Sequence, residues 1–194
     1  MRDAVSFEPE TEKPCSRLGG WVLIVGPSGA GKDTLMAITR GAVVDQPRIK
    51  FARRVVTRPP SRFEDHDTLS EKEFGLREVA GEFALSWQAH GLSYAVASSW
   101  LSRVAAGDLV VANVSRTILP EACECLCNVN VVLVTAPSDV CAVRIAARGR
   151  ERGVHERLRR GLDSTARRYA DLVINNIGSP EIGAGQLTSF LRSL

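Results

Sequence analysis

The stretch "GPSGAGKDT", Gly26–Thr34, has residue types and spacing suited to holding a polyphosphate. Gly26, Gly29 and Gly31 let the backbone bend until successive N–H groups converge on one concavity. Pro27, Ser28 and Ala30 complete the loop, and Lys32 can reach the β- and γ-phosphates of a nucleoside triphosphate. A helix starting there adds its positive N-terminal end. The pattern is G-x-x-x-x-G-K-[ST] up to its last position, where Asp33 replaces the hydroxyl and Thr34 follows. The ligand it implies is ATP with Mg²⁺. Against bare triphosphate a carboxylate is repulsive, by about 4 kcal/mol for two unit charges ~4 Å apart at an effective dielectric near ~20. A metal ion between them reverses the sign. Asp33 therefore either ligates magnesium in place of the hydroxyl, with Thr34 in support, or caps the helix and leaves the metal to Thr34 or water.

Arginines form the second chemical signal. Arg53, Arg54, Arg58 and Arg62 crowd one stretch, and Arg144, Arg148, Arg150, Arg152, Arg157, Arg159 and Arg160 another. The net charge is only +3, too mild to argue for nucleic acid. Two arginine clusters in a near-neutral chain imply a small, strongly anionic ligand gripped from two sides. Arg159, Arg160, Arg167 and Arg168 read as solvated helix faces. The five cysteines are odd in number and sparse, which suits a reducing, cytoplasmic setting. Within "CECLC", Cys123 and Cys127 share a helix face while Cys125 points away, and no second cluster has zinc spacing.

The elements that must position these groups follow from hydrophobic periodicity. "WVLIVG" is a buried parallel strand ending at the loop, and "KDTLMAITRGAV" is the helix after it. "DLVVANVS", "NVNVVLVTAP" and "DLVINN" read as further strands. "SSWLSRVAAG" with its Gly107 stop, "TILPEACECLC", "SDVCAVRIAARG" with Ser138 as N-cap, "GLDSTARRYA" and "SPEIGAGQLTSFLRSL" read as helices. "EFALSWQAHGLSYAV" alternates polar and apolar residues and predicts antiparallel strands about a Gly91 turn. The expected fold is α/β: an open, mainly parallel sheet flanked by helices. Residues 1–18 are expected to be a loose tail without a secretory h-region. Residues 19–194 form one domain with a core of 19–50, 105–147 and 161–194, an inserted flap of 51–104 and an Arg-rich lid of 148–160. No apolar run approaches the ~20 residues of a membrane span.

"GPSGAGKDT", "VVTRPP", "EDH", "FALSWQAHGLSYAV", "VVANVSR" and "RIAARGRE" together resemble the guanylate-kinase-like P-loop kinases. Among these, the pattern is most similar to the ribose 1,5-bisphosphate phosphokinases of phosphonate utilisation. The resemblance covers about residues 20–180. It implies transfer of the ATP γ-phosphoryl group to the 1-phosphate of ribose 1,5-bisphosphate, giving 5-phosphoribosyl 1-diphosphate and ADP. The flap would then bind the acceptor. The implied partners are small molecules, with neither nucleic acid nor membrane, and the oligomeric state stays open.

By resemblance, Arg58 of "TR" holds the acceptor phosphate, and Tyr94 matches a phosphate-binding tyrosine. Arg148 and Arg157 reach over the transferring group from the lid, and Asn175 lies near the adenine. Asn113, Ser115 and Arg116 of "ANVSR" join the acceptor side. His66 hydrogen-bonds substrate hydroxyls or caps a loop, and His90 is open to the same two roles; Glu64 and Asp65 either face the ribose or form a solvated turn. Trp87 is expected to pack. Three departures from guanylate kinases stand out: Asp33 in the loop, Asn113 where an acidic residue usually ends the second core strand, and a shortened "SRFEDHDTLS" after "TRPP". The last two favour an acceptor without a base over a nucleoside monophosphate, because an unmatched buried polar group is costly. A non-catalytic interaction module of the same fold is the remaining alternative, disfavoured by Gly31 and Lys32.

Overall fold

Short apolar runs at the expected places become one parallel sheet. The computed structural model describes residues 19–59, 66–147 and 164–194. Within them β1 (Gly20–Val25), β2 (Ile49–Phe51), β7 (Leu109–Asn113), β8 (Val129–Thr135) and β9 (Leu172–Asn175) pair in parallel in the order β2-β7-β1-β8-β9. Both faces of this sheet are buried, so its central strands are apolar throughout rather than alternating. Val22 and Ile24 point to one side, where α1 (Lys32–Ala42) and the C-terminal helix α7 (Pro180–Ser193) supply Leu35, Leu187 and Leu191. Trp21, Leu23 and Val25 point to the other, into a second cluster with Leu119 and Ala122 of α4 (Leu119–Cys125).

That second cluster is closed by the flap. Its sheet has four strands in the order β4-β3-β6-β5: β3 (Arg54–Val56), β4 (His66–Thr68), β5 (Phe83–Ala89) and β6 (Leu92–Ala97). β5 and β6 form the antiparallel hairpin expected from the sequence, with His90 and Gly91 turning at positive φ. Val56 pairs with Tyr94, and Trp87 also pairs with Tyr94, so these side chains share one face. Leu85 and Val96 extend that face, and all five belong to the core cluster of the main sheet. The opposite face of the flap sheet is covered by α2 (Glu71–Val79), whose Phe74 packs with Val55, Ala95 and Phe83. α2 begins with a capping box: the Glu73 amide donates to Ser70 Oγ, and the Ser70 amide to the Glu73 carboxylate.

Four elements were not anticipated: β2, β3, β4 and α2. β2, β3 and β4 are three-residue strands, too short to show a period, and β4 ("HDT") is polar. β2 belongs to the main sheet, so the flap sheet itself spans 54–97. α3 (Ser99–Ala105) ends before Gly107, which has φ 97°. α5 (Ser138–Ala146) has Pro137 as its cap residue and no side-chain cap hydrogen bond, so Ser138 is the first helical residue rather than the N-cap. α6 (Ser164–Tyr169) completes the helices of the described residues.

The α1–α7 contact depends on Leu187, which is fully buried against the main sheet. Leu187→Ala should lower the unfolding free energy by about 2–5 kcal/mol. Urea denaturation checks this; a shift under about 1 kcal/mol would mean that the helix packs loosely.

Candidate active site

The phosphate loop runs from the end of β1 into α1, at the carboxyl edge of the sheet. Its glycines are required by contact as well as conformation. A Cβ on Gly26 would lie 2.0 Å from the Val134 carbonyl oxygen of β8. Gly31 precedes α1 in the left-handed region (φ 92°), and a Cβ there would meet Asn176 Nδ2 at 2.4 Å. Lys32 curls back across the loop, its Nζ donating to the carbonyls of Gly26 (2.8 Å) and Pro27 (3.0 Å). The ammonium thus lies over the concavity where phosphate oxygens bind.

Asp33 does not cap α1, whose cap residue Gly31 has no side-chain hydrogen bond. It is held from across the sheet. Asn113, the buried last residue of β7, donates its Nδ2 to Asp33 Oδ1 at 2.7 Å. The Arg54 guanidinium stands 3.6 Å from the same oxygen. Both contacts fall on Oδ1. Asp33 Oδ2 keeps its bonding capacity, and Thr34 is exposed one residue on. A carboxylate oxygen and a hydroxyl at the end of a phosphate loop form a hard donor set that fits the magnesium implied by this loop type. No group of three His, Cys, Asp or Glu side chains that could hold a metal occurs among the described residues, and this includes Cys123, Cys125 and Cys127. Magnesium is typically held by one or two carboxylates plus substrate phosphates, so such a group is not needed here.

The loop is latched from β9. Asn176 is buried, and its Nδ2 donates to the Ala30 carbonyl at 2.8 Å. Arg144 of α5 donates to the Asn176 carbonyl at 3.1 Å. Asn175, the residue expected near the adenine, is exposed at the end of β9. Ile174 is buried, so Asn176 shares its face and Asn175 does not.

On the acceptor side, Tyr94 is nearly buried, with its ring stacked on Trp87 (centroids 5.6 Å, 9° between planes). Trp87 packs, as expected. The Arg54 guanidinium lies over the Tyr94 ring, 5.9 Å from its centroid. Arg58 follows β3, half-buried, and its carbonyl accepts from Thr68 Oγ1. His66 is buried next to Arg54 in the strand register, with Nδ1 3.4 Å from Thr68 Oγ1. Ser115 uses its hydroxyl to accept from the Thr117 amide, capping the short turn that carries Arg116. The structure therefore gathers Lys32, Asp33, Asn113, Arg54 and Tyr94 around one gap. Glu64, Asp65, Arg148 and Arg157, and the lid as a whole, lie outside the described residues. Arg54 and Asn176 are the two residues that the sequence did not single out individually.

This chain is 48% identical over 177 residues to ribose 1,5-bisphosphate phosphokinase PhnN of Methylobacterium radiotolerans, covering 90% of this chain and 98% of that one. It is 44% identical over 176 residues to the protein of the same name in Rhodopseudomonas palustris, covering 90% and 89%. The chain belongs to the ribose 1,5-bisphosphate phosphokinase family. A guanylate kinase crystal structure from Anaplasma phagocytophilum superposes with a TM-score of 0.65 at 19% identity, over 91% of this chain and 86% of that one, so the two share a fold. No protein-family model matches the chain. No helix among the described residues is long and apolar enough to cross a membrane. Membership makes the chain a nucleotide-using kinase, and the cradle of Gly26–Lys32 is where this family member would hold its nucleotide.

The Asn176 latch fixes the carbonyl of Ala30 inside that cradle. Asn176→Ala should weaken binding of a fluorescent ATP analogue about tenfold, the scale of one buried hydrogen bond. Asn175→Ala should leave it within about twofold; equal losses in the two variants would refute the assignment.

Proposed function

We propose that this protein transfers the γ-phosphoryl group of ATP to the 1-phosphate of ribose 1,5-bisphosphate, releasing ADP and 5-phosphoribosyl 1-diphosphate. The family supports the reaction. The observation that carries it within this chain is the flap's inner face. Leu85, Trp87, Tyr94 and Val96 of that face are one piece with the core, and the Arg54 guanidinium lies over the Tyr94 ring. A base would need a slot with matched donors and acceptors. A phosphorylated sugar needs cations and a few hydroxyl partners, which Arg54, Arg58, His66 and Tyr94 offer. The same reading carries a cytoplasmic setting with it.

The chain's contribution is position and charge, because phosphoryl transfer needs little covalent help. The loop amides and Lys32 hold the triphosphate. Arg58 and Tyr94 orient the acceptor so that its 1-phosphate oxygen faces the γ-phosphorus in line with the leaving oxygen. Arg148 and Arg157 close over the transferring group and exclude water, which would otherwise take it. Asn113, Ser115 and Arg116, at the end of β7, shape the floor between the two substrates. Magnesium, when bound, supplies charge neutralisation between the phosphates, with Asp33 and Thr34 as its residues on this chain.

An acceptor screen with labelled ATP tests the reading. Ribose 1,5-bisphosphate should be phosphorylated, GMP should not, and Lys32→Ala should lower turnover by a factor of about 10²–10⁴ while the variant stays folded. Faster turnover of GMP than of the bisphosphate would overturn it. Asp33 has a separate measurement. Asp33→Ser should shift the Mg²⁺ concentration that half-saturates nucleotide binding, read by fluorescence with an ADP analogue. An unchanged value would move the metal to Thr34 or water.

A further inference from the structure

Asp33 is held by one of its two oxygens. Asn113 Nδ2 donates to Oδ1 at 2.7 Å, and the Arg54 guanidinium stands 3.6 Å from that same Oδ1. The donor is built to stay where it is. Asn113 is 4% exposed and is the last residue of β7, in register opposite Ile24 of β1. Asp33 is in the first turn of α1, and its side chain is 32% exposed. The carboxylate is therefore fixed at one oxygen without being enclosed.

A carboxylate can meet a cation with one oxygen or with both. Using both requires the two oxygens to stand at equal reach from the ion, and a hydrogen bond this short holds one of them back. Magnesium loses nothing by this. It takes an octahedron of single oxygens at about 2.0–2.1 Å, most of them from water and substrate phosphates. Calcium does lose. It takes about 6–8 oxygens at about 2.3–2.6 Å, and a two-oxygen carboxylate is one way it fills that larger shell. Serine or threonine at position 33 could not carry this distinction, since a hydroxyl has one oxygen to offer. It arises in this loop because Asp33 stands there.

We propose that Asn113 is a specificity-determining positioning residue for the cation: by holding Asp33 Oδ1 it leaves a single carboxylate oxygen to offer, and the site takes magnesium in preference to calcium. The proposal deepens the assignment of Asp33 to the metal and rests on it. Asn113 acts through Asp33 and touches no cation itself. A purely structural hydrogen bond between β7 and α1 would support the loop for either cation alike.

Binding of a fluorescent ADP analogue tests this, with Mg²⁺ or Ca²⁺ titrated into the full chain. The readout is the ratio of the Ca²⁺ to the Mg²⁺ concentration that half-saturates binding. Asn113→Leu, which has no donor, should lower that ratio about 3–10-fold relative to wild type, the scale of one hydrogen bond. Asn113→Ser, whose hydroxyl falls one bond short of Oδ1, should lower it too, although it changes the packing in the opposite sense. Binding of the analogue in EDTA, without divalent cation, should stay within about twofold of wild type, which reports that the fold and cradle are intact. Loss of a structural contact alone would weaken binding with both cations equally. An unchanged ratio in either variant that keeps its cation-free binding would therefore overturn the proposal. Asp33→Ser separates the proposal from the reading beneath it. If it leaves both cation curves where they are in wild type, the metal is not held at Asp33, and the reading and the proposal fail together. If it moves the Mg²⁺ curve while the Asn113 variants keep the wild-type ratio, the metal assignment stands and only the proposal falls.

Discussion

A 2.7 Å hydrogen bond from Asn113 to Asp33 joins the end of β7 to the first turn of α1, and the site is arranged around it. A carboxylate beside a phosphate loop would be unfavourable next to a second one. Were residue 113 acidic, two carboxylates would face each other at contact distance, with a repulsion on the order of 4 kcal/mol at a moderate dielectric. An amide supplies a donor instead. The two departures from the guanylate-kinase pattern, at 33 and at 113, are therefore one change. The anionic oxygen stands on the loop rather than on the strand, and the strand residue becomes the donor that holds it. Neither substitution makes sense alone.

The rest of the fold makes this contact rigid. Asn113 is at the end of a strand paired on both sides, by β2 and by β1. Asp33 follows a loop whose course is fixed by backbone contact with β8 and by the Asn176 latch from β9. The flap is no loose appendage: its inner face is part of the main core cluster, so Tyr94 and Arg54 are held by packing rather than by loop conformation. Placing a phosphoryl donor and acceptor in register needs such stiffness, because small misplacements cost large factors in rate.

How much of this was legible depended on the length scale of each signal. The phosphate loop, the β1–α1 unit, the parallel sheet and the β5–β6 hairpin were readable because each repeats a pattern over six or more residues. β2, β3, β4 and α2 were not. Three are three-residue strands defined by their partners, and α2 begins in a polar stretch whose helix signal is a local capping box. At the site, residue types were easier than positions. Asparagine was expected near the nucleotide, but the side chain that turns inward is Asn176, set by the alternation that also buries Ile174. Arg54 was visible only as one of a basic cluster; its neighbour Arg53 is an exposed partner of Asp67, and nothing in "ARRVV" says which of the pair faces the gap until β3 is paired with β6. The coupling of Asp33 to Asn113 spans 80 positions and had no local signature at all.

The polarity of the assembled groups points to the kind of acceptor. Among the described side chains around the gap, the Arg54 guanidinium, the Lys32 ammonium and the Tyr94 hydroxyl carry donors. The described acceptor oxygen, on Asp33, lies on the nucleotide side and is claimed by Asn113 and Arg54. A nucleobase presents donors of its own, which a guanidinium or an ammonium cannot accept. Phosphate oxygens only accept. A donor-rich gap backed by packed aromatic rings therefore discriminates by hydrogen-bond direction as well as by size. Under the proposed reaction this favours a small molecule carrying phosphates at both ends over one that carries a phosphate at one end and a base at the other.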